Sequence, residues 1–148
     1  MISMDTMSAA DSIQNPYEYV RGLFIDDELR NRLSALPFST TKTRRLCLHE
    51  SDQSPLHVML VESAFEVFPR HCHLDSDEVI VLDDGGLVVS LWSDGELSPP
   101  VVCELSSTTC RVAFVPRGTL HSIRSVTPTS RYLEVKLGPF MKEACVFR

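Results

Sequence analysis

From His57 onward the chain is written in short apolar runs: HVMLVESAFEVF, EVIVL, LVVSLW, VVCEL, RVAFV, HSIRSV and RYLEVKL. They are rich in Val, Leu, Ile and Phe, which suit a pleated, half-buried surface, so each run predicts a strand. Between them stand Asp83-Asp84-Gly85-Gly86, Ser93-Asp94-Gly95, Ser98-Pro99-Pro100, Pro116-Arg117-Gly118 and Thr127-Pro128-Thr129, all composed of turn formers. About seven or eight strands at this spacing predict an all-β barrel or two-sheet sandwich, which hides most sheet edges.

Upstream the pattern is different. IDDELRNRLSAL carries acidic residues in its first turn and apolar residues at helical spacing, with Pro37 just beyond, and predicts a short helix packed on the main body. STTKTRRLCLHE then leads into a first strand ending near Glu50. Met1 to about Gln14 is small, polar and aperiodic, as expected of a mobile tail. The expected organisation is a tail over residues 1–22 and one barrel domain over 23–148, with no repeat or interdomain linker.

Composition mainly excludes. At 148 residues, 43% hydrophobic and 23% charged, the chain can bury a core without a disulfide scaffold and is too apolar to be disordered. A net charge of -6, with Lys42 to Arg45 as the one short basic run, argues against nucleic-acid binding. No apolar stretch is long enough to span a bilayer, and the first residues lack a secretory or transit pattern, so a soluble, cytoplasmic protein is expected. The five cysteines include no C-x-x-C pair, so neither a Cys-rich zinc site nor a disulfide framework is indicated.

The chemistry is concentrated in a few positions. In Pro69-Arg70-His71-Cys72-His73 the two imidazoles stand two residues apart, a spacing that puts both on one face of a strand. Glu78 opens the next apolar run after a polar turn, and His121 begins a later strand after Pro116-Arg117-Gly118. Three imidazoles and one carboxylate suit Fe(II), Mn(II), Ni(II), Cu(II) or Zn(II). An octahedral ion held by these four would keep two positions open for water, substrate or oxygen. An H-x-H pair alone arises by composition with a chance of about 0.15; the weight comes from Glu78, Gly85 and the separate P-x-G-x-x-H occurring together with it.

His71-x-His73-x4-Glu78-x6-Gly85 resembles the first cupin motif, and Pro116-x-Gly118-x2-His121 resembles the second. The likeness extends to the WbuC-type cupin fold metalloproteins, through LFIDDELRNRL, TRRLCLHE, PRHCH and LEVKLGPF, over about residues 23 to 140. It implies a cupin double-stranded β-helix, a jelly-roll barrel, with a short N-terminal helix and one divalent transition metal held by His71, His73, Glu78 and His121. Fe(II) or Mn(II) is favoured, with Zn(II) or Ni(II) compatible. Phe65, Cys110 and Ser125 depart from the usual motif residues, and none is a ligand.

Other residues are candidates of a second rank. Of Arg44 and Arg45 only one can face inward on a strand, and Arg45 shares its parity with Cys47 and His49. In the resemblance Arg45, His49 and Lys136 would bind an anionic substrate, and Glu134 and Arg45 are the candidate catalytic groups, Glu134 as an acid/base; a solvated ion pair on a sheet face is the plain alternative for Glu134 and Lys136. Cys72 should point away from the ligands as a buried thiol, and His57 reads as a packing or surface histidine. Trp92 and Phe114 are expected in the barrel core. Two functions fit: an isomerase-, lyase- or oxygenase-like enzyme on a sugar or organic acid, or a non-catalytic module that binds a small ligand through its metal, in either case with a homodimer as the expected assembly.

Overall fold

The computed structural model describes residues 17–20, 24–64, 68–95 and 97–148. Most of the expected tail, and Phe65, lie outside these residues. The one α-helix among them, α1 (Asp27–Ser34), starts where Asp26 caps it, its carboxylate accepting from the Leu29 N–H at 2.9 Å. Leu29 and Leu33 on its inner side pack on Leu46 and Leu60 of the sheet below, forming a small outer core. Arg44 ties the same helix down: it donates to the Ser34 and Leu36 carbonyls, both at 2.7 Å, and pairs with Glu62.

Among the described residues eleven strands make two facing sheets: β1 (Tyr17–Tyr19), β2 (Thr43–Cys47), β3 (Leu56–Ala64), β4 (His71–His73), β5 (Glu78–Asp84), β6 (Leu87–Trp92), β7 (Val101–Leu105), β8 (Val112–Val115), β9 (Leu120–Ser125), β10 (Thr129–Leu137) and β11 (Cys145–Phe147). One sheet runs β1-β2-β3-β10-β5-β8, the other β11-β4-β9-β6-β7. All pairings between these strands are antiparallel except β1 with β2, so Tyr17–Tyr19, placed in the tail by sequence, belongs to the sheet. No helix among the described residues is long and apolar enough to cross a membrane.

Strand alternation divides the residues between inside and outside, and the inside is not uniform. At one end Val61, Leu82, Leu87, Val89, Leu105, Ile123 and Tyr132 interlock as the main core. Toward the other end the inward positions become polar: across the first sheet run the rows Cys47–Met59–Glu134–Ile80 and His57–Lys136–Glu78. The expectation of Trp92 and Phe114 in the core is corrected by the same alternation. Leu91 and Ala113 take the inward positions, so Phe114 is 54% exposed and Trp92 faces outward beneath the Arg70 guanidinium, 4.6 Å from its ring centre.

Gly85, in the turn from β5 to β6, has φ +85, and a Cβ there would lie 2.7 Å from Thr127 Oγ1, 2.8 Å from Ser130 Oγ and 2.9 Å from the Thr129 carbonyl. Ser130 Oγ also donates to the Gly86 carbonyl at 2.7 Å, and Ser125 Oγ lies 2.6 Å from it. The turn and the loop after β9 are thus one hydrogen-bonded unit with no room for a methyl group. Gly85→Ala is expected to lower unfolding free energy by about 2 kcal/mol or more in urea titrations; an unchanged midpoint would contradict this packing.

Candidate metal centre

Strand geometry alone brings the four ligand-type residues together. His71 and His73 project from one face of β4, and His71 is the register partner of His121 on β9 of the same sheet. Glu78 begins β5 of the opposite sheet and points across the barrel at them. The turns that aim them are tied to each other: the Gly118 N–H donates to the His73 carbonyl at 2.7 Å, and the Arg117 N–H to Asp77 Oδ1 at 2.7 Å. Gly118, at φ +77, supplies the left-handed residue that lets Pro116-Arg117-Gly118 make this contact and release His121 into its strand.

All four side chains are buried, His121 at 0% and Glu78 at 1% exposure, and one donor atom from each lies within 4.8 Å of the others. Glu78 Oε2 is 3.2 Å from His73 Nε2 and 3.1 Å from His121 Nε2. Despite that proximity none of these three atoms has a hydrogen-bond partner of acceptable geometry. Buried polar atoms are almost always satisfied. Two donors each about 2.1 Å from a common ion, at 90 to 109° to one another, stand about 3.0 to 3.4 Å apart, which matches the observed separations. Three orphaned atoms converging at that spacing fit a bound divalent cation.

The carbonyls behind the imidazoles support the same fit. His71 Nδ1 is 3.0 Å from the Pro69 carbonyl and His121 Nδ1 is 2.9 Å from the Thr119 carbonyl, so each ring donates backward to the backbone two residues upstream and presents Nε2 to the site. Phe68 meets the His71 ring edge-on at 5.1 Å, and Phe147 stacks on it at 5.3 Å. Burial pushes the His71 imidazole down to about 3, which keeps it neutral. Burial opposes ionisation of Glu78, but the two nearby imidazoles outweigh it and hold the carboxyl well below the usual range. Burial pulls His121 down, but Glu78, the Thr119 carbonyl and the Glu134 charge together outweigh it, and His121 ends raised.

The second-rank candidates separate. Arg45 faces inward, as parity predicts, with Nε 3.9 Å from Glu134 Oε2 and its guanidinium 5.7 Å from the Phe68 ring centre. Glu134 is buried and its charge acts on His121 as well. Lys136 lines an opening beside His73 together with Ser76, Phe140, Met141 and Cys145. His49 is taken up differently: its Nδ1 lies 3.1 Å from the Val58 carbonyl, and its ring stacks on His57 at 4.1 Å. His57, buried against Gly138, is a packing histidine as read from the sequence. Cys72 is buried. Sequence reasoning missed Phe147 and Cys145, register partners of His71 and His73. Their strand is three residues long, too short to leave a periodic signal.

No protein-family model and no curated protein matches the chain. Solved structures do. Oxalate decarboxylase from Bacillus subtilis aligns with a TM-score of 0.56 at 16% identity, over 71% of this chain and 27% of that one. KdgF from Halomonas sp. aligns at 0.53 and 20% identity, over 69% and 84%. The capsular polysaccharide assembling protein CapF from Staphylococcus aureus aligns at 0.62 and 13%, over 75% and 33%. The fold is that of a cupin. This chain spans about a quarter of the decarboxylase and a third of CapF, but most of KdgF. The barrel places the tetrad between its two sheets, where the H-x-H pair, Glu78 and the P-x-G-x-x-H segment converge.

Metal binding needs neutral imidazoles, so the proton that Glu78 holds on His121 must leave as an ion enters. His121 has a raised pKa, so this competition begins above the ordinary imidazole value of about 6.5 and grows as pH falls. Calorimetric titration of metal-free protein with Mn(II) or Zn(II) is expected to release protons at pH 7. The apparent affinity should rise with pH until His121 is deprotonated and then level off. An affinity independent of pH between 5.5 and 8 would contradict this electrostatic picture.

Proposed function

We propose that this cupin is a metal-dependent enzyme acting on a small carboxylate-bearing molecule, a sugar acid or other organic acid, bound between the tetrad and Arg45. The observation that carries the reading is the Arg45–Glu134 pair. Both side chains turn into the barrel, at 14% and 9% exposure, with Arg45 Nε 3.9 Å from Glu134 Oε2 and the Glu78 charge acting on the same guanidinium. A metal tetrad does not require either residue, whereas a substrate carboxylate would use the planar fork of a guanidinium.

Each residue then has a task. Arg45 holds the carboxylate, and Glu134, beside Arg45 and with its charge acting on His121, takes or returns a proton at its carboxylate oxygen. Lys136, at the opening beside His73, draws the anion in. His71, His73, Glu78 and His121 would hold the ion, Fe(II) or Mn(II) by preference, which would supply Lewis-acid polarisation of a substrate oxygen, or access to dioxygen if iron. Isomerase- or lyase-like chemistry follows from the first property and oxygenase chemistry from the second. Neighbours named for oxalate decarboxylation and for capsular polysaccharide assembly support small acids and sugars as substrate classes, as does the resemblance to WbuC-type cupins.

The test is a panel of keto acids, sugar acids and short dicarboxylates incubated with the metal-loaded protein, followed by NMR and an oxygen electrode. Turnover of at least one is expected. Arg45→Met is expected to raise KM by about 10- to 100-fold with the metal content intact, in line with about 1.5–3 kcal/mol for a charged hydrogen bond. Binding of a panel member that raises Tm, with no turnover by any metal form, would favour a non-catalytic binding module. An unchanged KM in Arg45→Met would remove Arg45 from the site.

A further inference from the structure

The outer face of the six-stranded sheet is as apolar as a core. Strand pairing sets two rows across it, Leu46–Leu60–Leu133–Val81–Val112 and Val58–Val135–Val79–Phe114, and Leu56 opposite Leu137 extends them. An antiparallel sheet with one solvated side alternates apolar positions inside with polar ones outside, and these rows hold no polar residue. Among the described residues α1 and the segment before it cover the β2–β3 side, over Leu46 and Leu60, and the face is open toward β8. There Leu56, Val112, Phe114 and Leu137 are exposed, with Val79, Val81 and Val135 half-buried between them. On the β3 side Phe24, Leu48, Leu56, Val58 and Leu133 line a groove of about 400 Å³. Charges stand at the border and are already paired, Arg44 with Glu62 and Asp83 with both Arg30 and Arg131.

We propose that a second copy of this chain covers the face, forming a two-fold homodimer in which Phe114 of each copy enters the groove beside Leu48 and Val58 of the other. Val58 and Phe114 lie in one row three strands apart, on opposite sides of the line between β10 and β5. A two-fold axis along that line sets the ring of each copy over the groove of the other, as a self-complementary contact requires. The strands of the two sheets then run nearly aligned, the ordinary geometry of sheet on sheet.

Area and charge both favour this occupant. Five exposed side chains, Phe24 among them, and the half-buried ones between them present roughly 700 Å² of apolar surface per copy. A monomer rarely exposes a patch larger than about 300–600 Å². Two copies together bury about 1,200–1,400 Å², which reaches the size of a stable interface. A chain of net charge -6 repels its own copy, and that repulsion is smallest across a face that carries no charge and whose border charges are neutralised in pairs. The paired border then serves as the polar rim that such interfaces have.

The experiment is sedimentation equilibrium of metal-loaded full-length protein. It is expected to give twice the 16.6 kDa of the chain, and about 1 M NaCl should not dissociate the dimer, because the contact is apolar. Phe114→Asp and Leu56→Asp, on opposite sides of the face, are each expected to raise the dimer dissociation constant by about 100-fold or more, with metal content and far-UV circular dichroism unchanged. Val102→Asp, an equally exposed residue on β7 of the other sheet, should leave the constant unchanged. With Phe114→p-benzoylphenylalanine, a mixture of isotope-labelled and unlabelled chains should crosslink between copies to the tryptic peptides 22–30, 46–70 or 132–136, which line the groove. A chain that stays monomeric up to about 100 μM, a dimer that survives both Asp substitutions or that Val102→Asp breaks, dissociation by salt, or a crosslink to any other peptide would each overturn the proposal.

Discussion

The barrel is organised around a carboxylate that water cannot reach. Glu78 is almost fully buried and held in its charged form by the imidazoles of His73 and His121. Isolated in an apolar core, such a charge costs several kcal/mol, and the proton it holds on His121 offsets that only in part while occupying one of the lone pairs that converge here. A divalent cation at the convergence of those lone pairs resolves the conflict, and the surrounding structure is built to keep the convergence in place. The Pro69 and Thr119 carbonyls orient His71 and His121, and the Gly118 N–H ties the turn before β9 to the backbone of His73.

That constraint explains why the interior is polar at one end. A close-packed apolar filling of Leu82, Leu87, Val89 and Tyr132 fixes the spacing of the sheets at the opposite end. With the spacing set there, the inward positions of β5, β9 and β10 toward the other end can carry Glu78, His121, Glu134 and Lys136. Helix α1, capped by Asp26 and clamped by Arg44 and Glu62, closes the outside of the sheet from which Arg45 points inward. Stability and chemistry thus occupy separate layers of one barrel.

Much of this was legible in the chain because it depends on local period. The H-x-H spacing, the P-x-G turn before His121, the short helix and the inward choice of Arg45 over Arg44 all follow from counting residues along a strand, a helix or a turn. What failed depended on phase or on distant partners. Trp92 and Phe114 lie in runs too uniformly apolar for period two to reveal which face is inward, and the pairing of their neighbours Leu91 and Ala113 decides it. Tyr17–Tyr19 and Cys145–Phe147 are strands of three residues that exist only because a longer strand is there to receive them. His49 shared the parity of Arg45, but the Val58 backbone and the His57 ring claim its side chain, contacts that no spacing records.

The central claim, that His71, His73, Glu78 and His121 hold one divalent ion, is tested most directly by elemental analysis of protein purified without a metal-affinity column. The account predicts about one transition-metal ion per chain in the wild type. It predicts near-complete loss of that ion in His121→Ala and in the isosteric Glu78→Gln, with far-UV circular dichroism showing the barrel intact. Stoichiometric metal that survives both substitutions, or a folded wild type that takes up none when offered Fe(II), Mn(II), Ni(II) and Zn(II) in turn, would contradict it.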